Sequence, residues 1–265
     1  MNEVPPDGGA RVGEVRLFLA ALQYFTRLPM PAWIGHGQAQ LAGVARYFPA
    51  VGWVVGSVAA GVLWLASLVL PAPLPVLLST AAGAWLTGAF HEDGLADTFD
   101  GLGGSAVRER ALEIMKDSRV GTFGALALVL VVLVKLATLN AMPVMAACAA
   151  LVAAHSVSRW CSVVIIWRSK YAGGLQSRAQ VAVQSMSLAQ FFVATVFGLL
   201  PTALLGVLCG MSALAGVALA LCTLAWLLRW FTMRLGGYTG DTLGATQQLT
   251  EISFYLALLA AWKFS

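Results

Sequence analysis

The stretch His91–Gly104, HEDGLADTFDGLGG, holds four of the chain's twelve acidic residues between Glu92 and Asp100. It leaves an oily run, Leu74–Phe90, that carries no charge. If the helix continues outward, Asp93, Asp97 and Asp100 stand at i, i+4 and i+7 and share one face. Three carboxylates on one face repel each other, so a cation belongs among them. Oxygen-only ligation suits Mg²⁺ or Mn²⁺ better than zinc. Mg²⁺ commonly takes a few carboxylates plus substrate phosphates, which points to a phosphate-bearing substrate. Gly94, Gly101, Gly103 and Gly104 let backbone approach a ligand closely. The plain alternative is a solvated acidic loop paired with Arg108, Arg110, Lys116 and Arg119.

Two further stretches carry compatible chemistry. In LEIMKDSRVGTFGA (Leu112–Ala125), Asp117 adds a carboxylate, and Lys116 and Arg119 add cations able to hold phosphate oxygens. GGYTGDTLGATQQLTE (Gly236–Glu251) places Asp241 and Glu251 ahead of a short apolar run. Within Val144–Trp167, His155, Ser158, Arg159 and Ser162 share a face. Arg159 lies ~12 Å inside by helical rise from Trp167. A charge at that depth usually faces a partner or cavity, so Arg159 is expected to hold substrate phosphate or an ion pair. His155 is read as a core hydrogen-bonder, and Lys135 as snorkelling toward the outer boundary.

The elements that position these residues are membrane helices. The chain has 265 residues, 59% hydrophobic and 11% charged, with a mean hydropathy of +0.81. Soluble domains carry roughly 25% charged residues. Continuous apolar runs argue for helices over an alternating barrel. The expected class is an all-α, polytopic membrane protein of about seven spans: Ala50–Leu70, Leu74–Phe90, Val120–Met142, Val144–Trp167, Leu188–Leu208, Met211–Phe231 and Ile252–Phe264. The last is too short unless the polar turns from about Leu243 are also enclosed by protein. An amphipathic helix, Val12–Leu28, precedes them, with Arg16, Gln23 and Arg27 on one face. The polar start shows no cleavable signal peptide. No repeat or soluble domain is evident, so residues 1–265 read as one membrane unit.

Basic residues alternate with these spans. Arg11, Arg16, Arg27, Arg46, Arg108, Arg110, Lys116, Arg119, Arg168, Lys170, Arg178, Arg229 and Arg234, thirteen of the sixteen, fall on one side. The positive-inside rule makes that side cytoplasmic, together with the acidic stretch. The net charge of +4 reflects this topology rather than nucleic-acid binding. The four cysteines lie far apart without a CxxC and read as packing thiols.

HEDGLADTFDGLGG, KDSRVGTFGA, RYFPAVGWVVG (Arg46–Gly56) and GGYTGDTLGATQQLTE together resemble the cobalamin synthase (adenosylcobinamide-GDP ribazoletransferase) family of bacterial inner membranes, over about Arg16–Glu251. The resemblance implies a Mg²⁺-dependent step in which α-ribazole or its 5′-phosphate attacks adenosylcobinamide-GDP through its 5′ position and GMP leaves. It maps the acidic motif onto Glu92, Asp93, Asp97 and Asp100 as metal ligands, and the second motif onto Lys116, Asp117 and Arg119. Asp97, Asp100, Asp117 and Asp241 are then the expected catalytic carboxylates, with Asp117 or Asp241 as proton acceptor. Lys116, Arg119, Arg159, His91 and Gly101 are the expected substrate-binding positions. Implied partners are the two substrates, the bilayer and other corrinoid-assembly enzymes, with no nucleic acid. Asp97-Thr-Phe-Asp100-Gly101 is also faintly similar to the D-x-x-D-G of CDP-alcohol phosphotransferases. The competing reading is a cation transporter, whose acids would be expected at the midplane. The acids here are placed outside the central depth of the spans.

Overall fold

The computed structural model describes residues 13–35, 43–173 and 186–263. Arg11, Val12, Arg178 and Phe264, used in the expectations above, lie outside the described residues. Ten helices follow in order: α1 Glu14–Phe25, α2 Phe48–Ser67, α3 Leu74–Thr87, α4 Phe90–Gly104, α5 Arg108–Ile114, α6 Thr122–Asn140, α7 Val144–Arg168, α8 Leu188–Cys209, α9 Ser212–Leu235 and α10 Gly240–Lys263.

The amphipathic first helix is present, with Leu17, Ala21, Leu22 and Phe25 buried. Arg16 leaves its polar face and donates from Nε to the Ile34 carbonyl at 3.1 Å. Five stretches are long and apolar enough to cross a membrane: residues 44–67, α6, α7, α8 and α9. This is a multi-pass helical membrane protein. α7 is the central pillar, buried along most of its length. α6, α8 and α9 turn Leu130, Leu133, Phe192, Leu204, Leu214 and Trp226 outward, as lipid-facing surfaces do because hydrocarbon is their solvent.

The other two expected spans differ from the first five. The run Leu74–Phe90 is not one helix. α3 has 14 residues, ~21 Å of rise against ~30 Å of hydrocarbon. It stops where Gly88 (φ 66°) and Ala89 (φ 57°) both turn left-handed. The Ala89 amide reaches back to the Ala84 carbonyl at 2.7 Å, and α4 starts afresh. α10 is long, at 24 residues, but polar in its first half. Thr246, Gln247, Gln248, Thr250 and Glu251 are all buried inside protein, the enclosure that the sequence required of these turns.

Side-chain bonds gather one set of helix ends. Arg234 Nη2, near the end of α9, donates to the Leu102 and Ser105 carbonyls at 3.0 and 2.6 Å, closing the C-terminus of α4. Arg108 Nε donates to the Leu235 carbonyl at 2.7 Å. The Tyr238 amide meets the Lys170 carbonyl at 2.9 Å, joining the lead into α10 to the exit of α7. These are the ends that the alternation of basic residues placed together.

Candidate active site

The acidic face is built where α4 crosses α10. A Cβ on Gly94 would lie 2.8 Å from the Asp241 carbonyl, and one on Gly244 would lie 3.1 Å from Gly94 Cα. Only glycine at both positions lets these backbones touch. The crossing brings Asp241, at the start of α10, beside Asp93 and Asp97. Asp93 is exposed, and Asp97 and Asp241 are half-buried. Burial, then the nearby charges of Asp93, Asp241 and Asp100, push the Asp97 carboxyl up to about 7. A carboxylate held this way gains from a cation. Among the described residues no three His, Cys, Asp or Glu side chains converge to enclose an ion by themselves.

Asp100 has a different setting. Its Oδ2 accepts from the Gly121 amide at 2.7 Å and its Oδ1 from the Gly124 amide at 2.8 Å. It therefore caps the N-terminus of α6, satisfying orphan donors and meeting the positive end of the helix dipole. A Cβ on Gly124 would strike the Asp100 carboxylate and sit 2.8 Å from the Ala96 carbonyl. The glycines of the VGTFGA stretch thus serve an aspartate in a separate motif. Asp100→Ala should cost ~0.5–2 kcal/mol, the usual worth of a cap, seen as a lower melting midpoint in detergent. An unchanged midpoint would contradict the capping role.

Glu92 is tied to α10: its Oε1 accepts from Gln248 Nε2 at 3.1 Å, and its buried Oε2 has no partner. Gln248 Nε2 also donates to Gln247 Oε1 at 3.0 Å, and Gln247 Nε2 donates to Glu251 Oε2 at 2.6 Å. Carboxylates only accept, so Glu251 and Glu92 fix the orientation of both amides between them. Lys135 closes the chain. Its Nζ donates to Glu251 Oε1 at 2.5 Å, and the pair is 7% and 1% exposed.

Two expectations are corrected here. Lys135 does not snorkel outward; it turns into the bundle to neutralise a buried glutamate. Glu251 stands ~16 Å along α10 by helical rise from Gly240, so an acid does lie at central depth. Its oxygens are engaged by Lys135, Gln247 and the Tyr255 hydroxyl, the last at 3.0 Å.

Arg159 and His91 are also turned inward. Arg159 is 2% exposed; its Nη1 donates to the His155 carbonyl at 3.0 Å and its Nη2 faces His91 Nε2 at 3.1 Å. A guanidinium only donates, so His91 Nε2 accepts and its ring proton resides on Nδ1. Arg159 thus ties α7 to the first turn of α4 through its two Nη atoms, while its buried Nε has no partner. Gly101, another expected substrate contact, packs on α5, where a Cβ would lie 2.8 Å from the Ala111 carbonyl.

The second motif is paired within itself. Asp117 is paired with Arg119, its Oδ2 accepting from Nη2 at 2.6 Å. The hydrogen bonds from Arg119 pull the Asp117 carboxyl down to about 2. Lys116 is exposed. What links this motif to the site is the Asp100 cap.

The chain matches the family model described as Cobalamin-5-phosphate synthase over residues 17–259. It belongs to this family. A relative from Leptothrix cholodnii is 50% identical over 262 residues, covering 96% of this chain and 99% of the relative. Relatives from Polaromonas naphthalenivorans and Shewanella sp. (strain ANA-3) are 44% and 43% identical, covering 92% and 93% of this chain. All three carry the name adenosylcobinamide-GDP ribazoletransferase. No solved structure matches. The matched region includes the α4–α10 crossing, the Asp100 cap and the buried Lys135–Glu251 pair.

Proposed function

We propose that this chain is an adenosylcobinamide-GDP ribazoletransferase acting at the basic face of the bacterial inner membrane, turned toward the cytoplasm. The observation that carries the reading is similarity to relatives of that name along more than nine-tenths of the chain. The crowded carboxylates at the α4–α10 crossing give it a chemical locus.

In the transfer, a ribose hydroxyl of α-ribazole or its 5′-phosphate forms a bond to the corrinoid-bearing phosphorus. The bond from that phosphorus to GMP breaks, GMP takes the electron pair, and the hydroxyl loses its proton. Where the acceptor carries a 5′-phosphate, its 5′ oxygen is already esterified and another ribose hydroxyl attacks. A bound Mg²⁺ or Mn²⁺ would supply neutralisation of the negative charge of the phosphates. Asp93, Asp97 and Asp241 are the side chains that would hold it. Asp100 fixes α4 against α6, and Arg159 with His91 fixes the opposite end of α4, so the carboxylates are pre-positioned. Asp117 is committed to Arg119, which leaves an Asp241 oxygen not spent on the cation as the better placed proton acceptor. Lys116 and Arg27, both exposed, are available to substrate phosphate.

Purified protein in detergent, given GDP-cobinamide, α-ribazole or its phosphate and Mg²⁺, should release GMP and form cobalamin or its phosphate. A transporter would give neither. Failure to release GMP with either acceptor would overturn the reading. Orientation has its own test. In a cysteine-free background, Ala106→Cys should resist an impermeant maleimide in intact cells while Met211→Cys reacts. The reverse pattern would place the site on the outside.

A further inference from the structure

Beside the carboxylates lies an aromatic surface that no step above uses. Phe90, Asp93 and Asp97 stand at i, i+3 and i+7 on α4 and share a face. Phe90 is therefore ~4.5 Å along the axis from Asp93 and ~10.5 Å from Asp97. Tyr24, from the last turn of α1, packs its ring against Phe90 at 5.6 Å and 73°. The two remain 46% and 39% exposed. They rest on Phe25 and Phe48, which are buried.

Aromatic side chains at a membrane boundary often serve as anchors, and Trp33, 58% exposed, is another exposed ring. Tyr24 differs because of its polar end. Burial first, then the charges of Tyr171 and Asp241, push its pKa up. Tyr171 stands in turn against Tyr238 at 5.4 Å, in the segment leading into α10. The aromatic surface thus adjoins the carboxylates on the side of Asp93 and Asp241.

We infer that Tyr24 and Phe90 form a stacking floor for the planar heteroaromatic base of a nucleotide substrate whose phosphate lies at Asp93, Asp97 and Asp241. The inference rests on the transferase reading, in which two substrates carry such a base: the ribazole and the guanine nucleotide. A base on Phe90 and a phosphate near Asp97 are separated by roughly the helical rise given above, the scale of one nucleoside. Sequence-tolerant stacking on exposed aromatic faces is how proteins commonly hold bases.

The test is equilibrium dialysis of purified full-length protein with Mg²⁺, using α-ribazole and GDP as separate probes. Tyr24→Leu and Phe90→Leu should each weaken one probe by about tenfold or more. The KM of the matching substrate should rise while kcat stays within about twofold. The probe that responds identifies which base lies on the floor. Tyr24→Phe, which restores the ring, should recover most of the lost affinity. Trp33→Leu, removing a more exposed aromatic that is not part of the floor, should change neither probe. The floor is overturned if both leucine variants bind both probes like wild type, or if Trp33→Leu weakens them equally. Wild-type turnover tests the transferase reading separately: dialysis still reports on the floor if no cobalamin forms.

Discussion

Asp97→Asn should lower turnover by about a hundredfold or more while the protein inserts and melts as wild type does without metal. The two halves of this result have one cause. Asp97 sits among Asp93, Asp241 and Asp100, and burial together with those charges lifts its carboxyl to about 7. Its negative charge is therefore unwelcome without a bound cation, so asparagine removes a repulsion and keeps the shape. On the proposed reading the same charge is needed during transfer, where Asp97 would supply a hard anionic ligand to a cation facing the leaving nucleotide. Each ~1.4 kcal/mol of lost transition-state stabilisation is a factor of ten. GMP release and melting midpoint, measured on one preparation, check both halves. Near-normal release would show that the acidic face is merely solvated.

Lys135→Met should behave in the opposite way, damaging the fold first. The substitution leaves Glu251 charged inside the bundle, with Tyr255 and Gln247 still donating to it but no lysine. Breaking a buried pair by removing one partner typically costs ~3–5 kcal/mol. The companion Glu251→Gln also loses the pair, and the double variant should lose less than the two singles summed, with a coupling of ~0.5–3 kcal/mol. Thermal melting in detergent gives the cycle directly. A silent Lys135→Met would return that residue to the snorkelling role expected from its sequence position.

What could be read from the chain beforehand followed physical reach. The shared face of Asp93, Asp97 and Asp100 is a property of one helix, so spacing revealed it. The polar turns Thr246–Glu251 announced their own burial, because Ile252–Phe264 alone cannot cross a membrane. The Lys135–Glu251 pair joins residues 116 positions apart, and no local period marks it. Asp100 was grouped with the metal ligands because its register matched, yet both its oxygens are met by backbone amides 21 and 24 residues later. The two glycines of VGTFGA, three apart at a helix start, were the available signal for that cap. The break between α3 and α4 was hidden because hydrophobicity runs unbroken through Gly88 and Ala89, while the turn is made by backbone dihedrals. Tyr24 drew no attention because its helix was read from the polar face of Arg16, Gln23 and Arg27.

The central claim is that Asp93, Asp97 and Asp241 hold a divalent cation for phosphoryl transfer, and the most direct measurement is Mn²⁺ binding by electron paramagnetic resonance in the presence of GDP-cobinamide. Wild-type protein and Asp117→Asn, whose carboxylate is engaged by Arg119, should bind Mn²⁺ alike, and Asp97→Asn should bind at least about tenfold more weakly, a difference of ~1.4 kcal/mol. Equal binding by wild type and Asp97→Asn would contradict the account.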